Sequence, residues 1–342
     1  MIKIKKMEIF EWCYLQVGYR LLCLGTSSFN GNTDDVYKVF RSHKKAFSLI
    51  PDPSFLHLSA KHKKALTTLQ YGLVSQAGFT VITGKIGSGK TTLVRSLLDE
   101  LRADCEVGLI TNTHSAFGDL LTWVLAAFKI ESTASNKAER YQAFVNFITE
   151  KSGASKRVVL IVDEAQNMDI QTREELRLLS NINVNQDIML QLVLVGQPEL
   201  VEKLNRPELI QFSQRISIEY HLQPLSYQET EEYIHYRLKV AGSEEIIFHP
   251  SACAALYYYS GGIPRLINNL GDLALVFAFA ADKKKINWKI IVDVVSERTT
   301  GGIKRFEGKV CLTPNIIERA AEAEKLRRAL LEETGVDISR DL

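Results

Sequence analysis

Phe79-Thr80-Val81-Ile82-Thr83-Gly84-Lys85-Ile86-Gly87-Ser88-Gly89-Lys90-Thr91 is a β-branched run that ends in a glycine loop and leads into a helical pattern. Gly84 to Thr91 fits G-x-x-x-x-G-K-[ST], with a strand before it and a helix from Lys90 to about Leu101 after it. Glycines at these positions let successive backbone N–H groups converge on phosphate oxygens, and the helix N-terminus adds its positive end. The pattern therefore predicts a site for ATP with Mg2+. Lys90 reaches the β- and γ-phosphates and the Thr91 hydroxyl ligates the metal, while Lys85, Ile86, Ser88 and Thr92 complete the nucleotide-binding stretch.

A loop of this kind does not by itself imply hydrolysis. The second half of the chemistry comes from Val158-Val159-Leu160-Ile161-Val162-Asp163-Glu164, a continuous apolar run closed by two acids. A run without alternation reads as a strand buried on both faces, and ligands of open parallel sheets bind beyond the C-terminal ends of such strands. Asp163 is placed to hold Mg2+ through its water shell, and Glu164 to orient and deprotonate the attacking water.

Around these two stretches the pattern alternates. Apolar Ala65, Leu66, Leu69 and Leu73 mark a helix after Ser59. Val107–Thr111, Leu190–Val195 and Ile216–Tyr220 read as further strands, and Ala116–Phe128, Lys137–Lys151 and Glu174–Ser180 as helices. Strands alternating with helices predict an α/β fold, a parallel sheet sandwiched by helices. After about Ser226 only helices follow: Gln228–Ala241, Pro250–Ser260, Pro264–Ala281 and Trp288–Arg298, an all-α lid. A charged helix, Thr313–Thr334, comes last. The division expected is an N-terminal extension at 1–36, closed by the turn-rich TSSFNGNTDD (26–35), a core at 37–225, a lid at 226–300 and a charged tail at 301–342.

Composition narrows the function classes. The 342 residues carry 42 Lys and Arg against 40 Asp and Glu, a net charge of +2, without the strong basic excess common in dedicated nucleic-acid binders. Five cysteines are scattered, odd in number and without a CxxC pair, which points to free thiols in a reducing compartment. No apolar stretch reaches the length of a membrane span. At the N-terminus Lys3, Lys5 and Lys6 precede a semi-apolar run broken by Glu8, Glu11 and Arg20, a poor export signal. The expected location is cytoplasmic, with any attachment to the inner membrane made through partners.

The motifs in order resemble the AAA+ ATPases, and more narrowly the ExeA-like branch, which includes pilus-biogenesis and exosortase-associated ATPases. The matching stretches are FSLIPDPSFLHLSAKHKKAL (47–66), GFTVITGKIGSGKTTL (78–93), VLIVDEAQNM (159–168), EELRLLSNI (174–182), LVGQPEL (194–200), SQRI (213–216) and GGIPRLINNL (261–270). The resemblance implies roles residue by residue. Gln197 is the sensor-1 candidate aimed at the γ-phosphate, with a plain turn residue as the alternative. Arg215 matches the arginine finger that completes a neighbouring subunit's site, with Arg206 as its rival and a surface salt bridge as the alternative for both. Arg265 matches the sensor-2 arginine of the lid, or is simply an arginine at a helix start. Pro51-Asp52-Pro53 and His57 fall in the segment that runs past the adenine in this family.

The resemblance implies a homo-oligomer, ring or filament, that hydrolyses ATP to power or regulate a secretion, exopolysaccharide-export or pilus system, with envelope components as partners. Secretion-type members add a membrane span and a periplasmic peptidoglycan-binding domain, neither of which is read in this sequence. The alternative is a DNA-dependent transposition regulator of the TnsC/MuB kind, for which the sequence offers only the basic stretches Lys61–Lys64, Lys283–Lys285 and Arg327–Arg328.

Overall fold

The computed structural model describes residues 34–50, 52–101, 105–111, 119–131, 136–154, 156–184, 187–188, 190–297 and 316–338. The expected extension at 1–36 and the tail at 301–342 thus lie largely outside the described residues, as do Cys13, Cys23, Cys311 and Pro51. The chain divides into two compact units, one formed by Leu56–Leu225 with Ile263–Arg265, the other by the remainder.

The first unit is built on five strands: β1 (Phe79–Gly84), β2 (Cys105–Ile110), β3 (Arg157–Val162), β4 (Leu190–Gly196) and β5 (Ile216–Leu222). They form one parallel sheet in the order β2-β3-β4-β1-β5. The three central strands β3, β4 and β1 are almost wholly buried, which is why their sequences are largely apolar, with Thr80, Thr83 and Gln191 as buried polar exceptions. The edge strand β5 alternates instead: Ser217, Glu219 and His221 are exposed while Ile216, Ile218 and Tyr220 are half-buried.

Period-two alternation sorts the side chains of the central strands into two cores. Ile82, Val159, Ile161, Val193 and Val195 pack with α1 (Ala60–Val74) and α2 (Lys90–Leu101). Val81, Val158, Leu160, Leu192 and Leu194 pack on the other face, with α3 (Leu120–Ala127), α4 (Lys137–Gly153) and α5 (Ile170–Leu179). Ser59 caps α1 by accepting from the His62 N–H, and Asp169 caps α5 by accepting from the Thr172 N–H at 2.7 Å. That cap starts α5 four residues before the expected Glu174, because Gln171, Thr172 and Arg173 carry no apolar period to read. The short helix α6 (Glu199–Leu204) has no sequence signature for a related reason, as six residues are too few for a periodic signal.

The second unit is helical, with α7 (Tyr227–Val240), α8 (Pro250–Ser260), α9 (Pro264–Ala280) from Leu266 onward, α10 (Trp288–Ser296) and α11 (Ile316–Thr334). Residues 34–55 cluster with these helices, although sequence order joins them to the α/β unit. The bonds responsible are specific. The buried Arg237 guanidinium of α7 donates to the carbonyls of Ala46 (2.6 Å) and Ser48 (3.1 Å) and lies over the Phe55 ring. Asp272 of α9 accepts from Tyr37 Oη and pairs with Lys45. The Phe47 ring packs directly over Gly271, where an added Cβ would lie 3.2 Å away from it.

Leu160, fully buried at the middle of β3, anchors one of the two cores. Leu160→Ala removes its transfer free energy and leaves a cavity, so unfolding free energy should fall by about 2–5 kcal/mol in chemical denaturation.

Candidate functional site

Parallel register brings three strand ends to one edge of the sheet. Thr83 of β1 is paired with Gly196 of β4, and Val162 of β3 with Leu194 of β4, so the loop after β1, the acids after β3 and Gln197 after β4 are neighbours.

The loop after β1 is tight. Gly87 and Gly89 have φ of +78° and +100°, a region where a side chain is strained, and a Cβ on Gly84 would lie 2.9 Å from Ser88 Oγ. Lys90 opens α2 and is buried; its Nζ donates to the carbonyls of Gly84 (2.8 Å) and Lys85 (3.1 Å) across the loop. Burial lowers its pKa below the ordinary lysine value, opposed by the charges of Glu164, Asp163 and Glu199. Thr91 Oγ1 donates to Asp163 Oδ2 at 2.9 Å, which ties the loop to the end of β3 across β4. Ile86 at the loop tip is 62% exposed, and Thr92 is half-buried in the first turn of α2.

Glu164 sits in the left-handed region, φ 52° and ψ 36°, which costs a non-glycine residue roughly 1–2 kcal/mol. Its N–H donates to Asp163 Oδ1 at 2.9 Å, and its carbonyl accepts from the Asn167 N–H. Strain held in place this way collects at functional sites. The Glu164 carboxylate accepts from Gln166 Nε2 at 2.6 Å and from Gln197 Nε2 at 3.3 Å. The other end of the Gln166 amide accepts from the Gln197 N–H at 3.1 Å, and its backbone carbonyl accepts from Lys203 Nζ at 2.5 Å. Gln166 therefore braces both Glu164 and Gln197, and Gly196 leaves it room, since a Cβ there would lie 2.9 Å from Gln166 Oε1. Within VLIVDEAQNM nothing marks Gln166 for a role. A buried amide two residues after an acid carries no signal until β4 is known to lie beside it.

Other expected residues fall in different places. Arg265 reaches the loop: its backbone N–H donates to the Gly87 carbonyl at 3.2 Å, and its Cβ occupies the space over Gly87. Arg215 is not joined to this cluster. Its Nη1 donates to Ser180 Oγ at 2.7 Å and to the Arg177 carbonyl at 3.5 Å, at the C-terminal end of α5. Arg206 is exposed. His57 is half-buried in the α/β unit, whereas Asp52 belongs to the helical unit, where it accepts from the Ser54 N–H and hydroxyl.

The residues suit an anionic ligand with a hard cation. Ser88 Oγ is buried without a hydrogen-bond partner, an orphaned donor inside the loop. Thr91 Oγ1 and Asp163 Oδ2 supply two adjacent hard oxygens, and the described residues contain no cluster of three or more His, Cys, Asp or Glu. Mg2+ needs only one or two such protein ligands when phosphates and water supply the rest.

Residues 73–204 match the family model described as AAA domain. Over 242 residues the chain is 42% identical to General secretion pathway protein A of Aeromonas hydrophila, a match that covers 70% of this chain. Together these matches support an ExeA-like AAA+ assignment. The match spans 44% of that relative's own length, less than half of it. Among solved structures the chain is similar to Cdc6p of Pyrobaculum aerophilum, with a TM-score of 0.60 and 15% identity over 85% of this chain and 84% of the other. It is also similar to the ORC2 protein of Aeropyrum pernix, solved as ADPNP–ADP complexes, with a TM-score of 0.57 and 15% identity over 74% and 72% of the two chains. At such identity the likeness concerns the fold, and it matches the parallel sheet flanked by helices. No helix among the described residues is long and apolar enough to cross a membrane.

Replacing Gln166 by Leu keeps its bulk and strands the Gln197 N–H inside the turn. Unfolding free energy should drop by about 1 kcal/mol in urea denaturation, the low end of the cost of an unsatisfied donor, because the Gln197 N–H is only part-buried.

Proposed function

We propose that this AAA+ chain binds ATP with Mg2+ at the Gly84–Thr92 loop and hydrolyses it, in assemblies of several copies. The turnover powers or regulates a secretion, exopolysaccharide-export or pilus system from the cytoplasmic side. The observation that carries the reading is the convergence of Lys90, Thr91, Asp163, Glu164 and Gln197 on one sheet edge, with Thr91 bonded to Asp163 and Gln197 to Glu164. The 42% identity to a protein named for general secretion supports the cellular setting.

In this reading the loop N–H groups and Lys90 hold the β- and γ-phosphates, and Arg265, already against Gly87, adds charge beside them. Thr91 and Asp163 hold Mg2+, which when bound neutralises charge developing on the phosphoryl oxygens. Glu164 takes the proton of the attacking water, and Gln197 orients the γ-phosphate side. Arg215 serves the neighbouring copy's site, in keeping with its place outside this cluster. A DNA-linked role draws less support. Arg327 and Arg328 are both paired with Glu324, and Lys61 Nζ donates to the Pro224 carbonyl, so these basic stretches are partly spent within the chain.

Lys90→Ala should abolish nucleotide binding in a fluorescent-nucleotide titration, since it removes the cation set against the β- and γ-phosphates. Near wild-type affinity in that variant would remove the loop from the nucleotide site. Glu164→Gln should retain ATP and lose turnover, because an amide keeps the shape and cannot accept a proton.

An arginine finger in related P-loop enzymes is worth about 10³–10⁵ in rate, so specific activity should rise with protein concentration. Arg215→Ala and Glu164→Gln subunits, each nearly inactive alone, should recover turnover when mixed, because some interfaces then pair an intact Arg215 with an intact Glu164. Absence of recovery, together with activity independent of concentration, would show that Arg215 does not act between copies.

A further inference from the structure

Behind the loop stands a buried histidine that the proposed chemistry does not use. His62 lies on α1, 7% exposed, and its two ring nitrogens are engaged on opposite sides. Nδ1 is 2.9 Å from Ser59 Oγ, and Nε2 is 3.1 Å from the carbonyl oxygen of Ser88, in the middle of the loop. The partners define the tautomer. A carbonyl can only accept, so Nε2 carries the hydrogen and donates to Ser88. Ser59 Oγ accepts from the His62 backbone N–H at 3.4 Å, which leaves its own hydrogen for Nδ1. The chain Ser59–His62–Ser88 thus runs in one direction, from the cap of α1 to the loop backbone.

This contact bears on the neighbouring peptide. In a planar trans peptide the C=O of one residue and the N–H of the next point in opposite directions. A Ser88 carbonyl held toward His62 turns the Gly89 N–H away from α1, to the side of the loop opposite the histidine. Gly89 has φ of +100°, and a Cβ built on it would lie 3.0 Å from His62 Nε2. The missing side chain therefore admits both the backbone conformation and the imidazole. Without the donor the 88–89 peptide loses the bond that sets its orientation, and glycine offers little resistance to its rotation.

We infer that His62 is a positioning residue for anion binding: its Nε2–H fixes the Ser88–Gly89 peptide so that the Gly89 N–H is aimed at the phosphates of a bound nucleotide. This inference rests on the proposed nucleotide site.

Three variants separate the donor from the packing. His62→Phe keeps a ring over Gly89 and removes the N–H. His62→Gln restores an N–H at the end of a chain of similar reach. Ser59→Ala removes the partner that holds the tautomer. Titration with fluorescent ADP and ATP analogues, beside the unfolding midpoint of each protein without nucleotide, should show about a tenfold or greater loss of affinity for His62→Phe, the size of a lost hydrogen bond to a charged group. His62→Gln should remain within about threefold of wild type, and Ser59→Ala should fall between them. Wild-type affinity in His62→Phe, a loss in His62→Gln as large as in His62→Phe, or a loss that tracks the unfolding midpoint across the series would each overturn the inference while leaving the nucleotide site intact. Failure of the wild-type protein to bind either analogue would overturn both.

Discussion

The hydrogen bond from Thr91 Oγ1 to Asp163 Oδ2, 2.9 Å long, spans the sheet from the loop after β1 to the end of β3. It can form because β4 alone lies between those strands and all three run parallel. With the strands in register their C-terminal ends are level, so the turns that follow them share one edge. Lys90, Thr91, Asp163, Glu164, Gln166 and Gln197 meet there without any long loop having to reach across. The apolar runs of β1, β3 and β4 set this arrangement, since only strands covered on both faces have sequences of that kind and only the middle of the sheet offers such cover.

At this edge the polar groups answer one another. The Lys90 ammonium caps two carbonyls of its own loop, and the Glu164 carboxylate is gripped by two glutamine amides. Glu164 holds a left-handed backbone because Asp163 accepts from its N–H and Asn167 donates to its carbonyl. Two glycines serve as contact surfaces as much as hinges, with Arg265 over Gly87 and His62 over Gly89. A side chain at either position would have to displace its neighbour as well as strain the backbone.

The helical unit is organised by a different device. Arg237 is buried without a carboxylate partner among its described bonds, and its guanidinium is satisfied by two backbone carbonyls, the Tyr233 hydroxyl and the Phe55 ring. A planar, delocalised cation is the side chain best able to be buried on such terms. It fastens Ala46, Ser48 and Phe55 to α7.

Local pattern alone was enough to predict the strand–loop–helix at Phe79–Leu101, the buried strand before Asp163 and Glu164, and the succession of helices after Ser226, because period, composition and glycine spacing act over a few residues. The motifs were specific enough to indicate the family as well. Other features depended on tertiary contacts. Gln166 braces Glu164 only because β4 places Gln197 beside it, and His62 reaches Ser88 only because α1 packs against the loop. The attachment of residues 34–55 to the helices after Ser226 rests on a guanidinium nearly two hundred positions away, with separations of 191 and 189 residues. Bonds of that kind join groups that nothing in the local sequence relates. Which carbonyl a buried donor meets is decided by the packing of whole elements, after the local rules have been met.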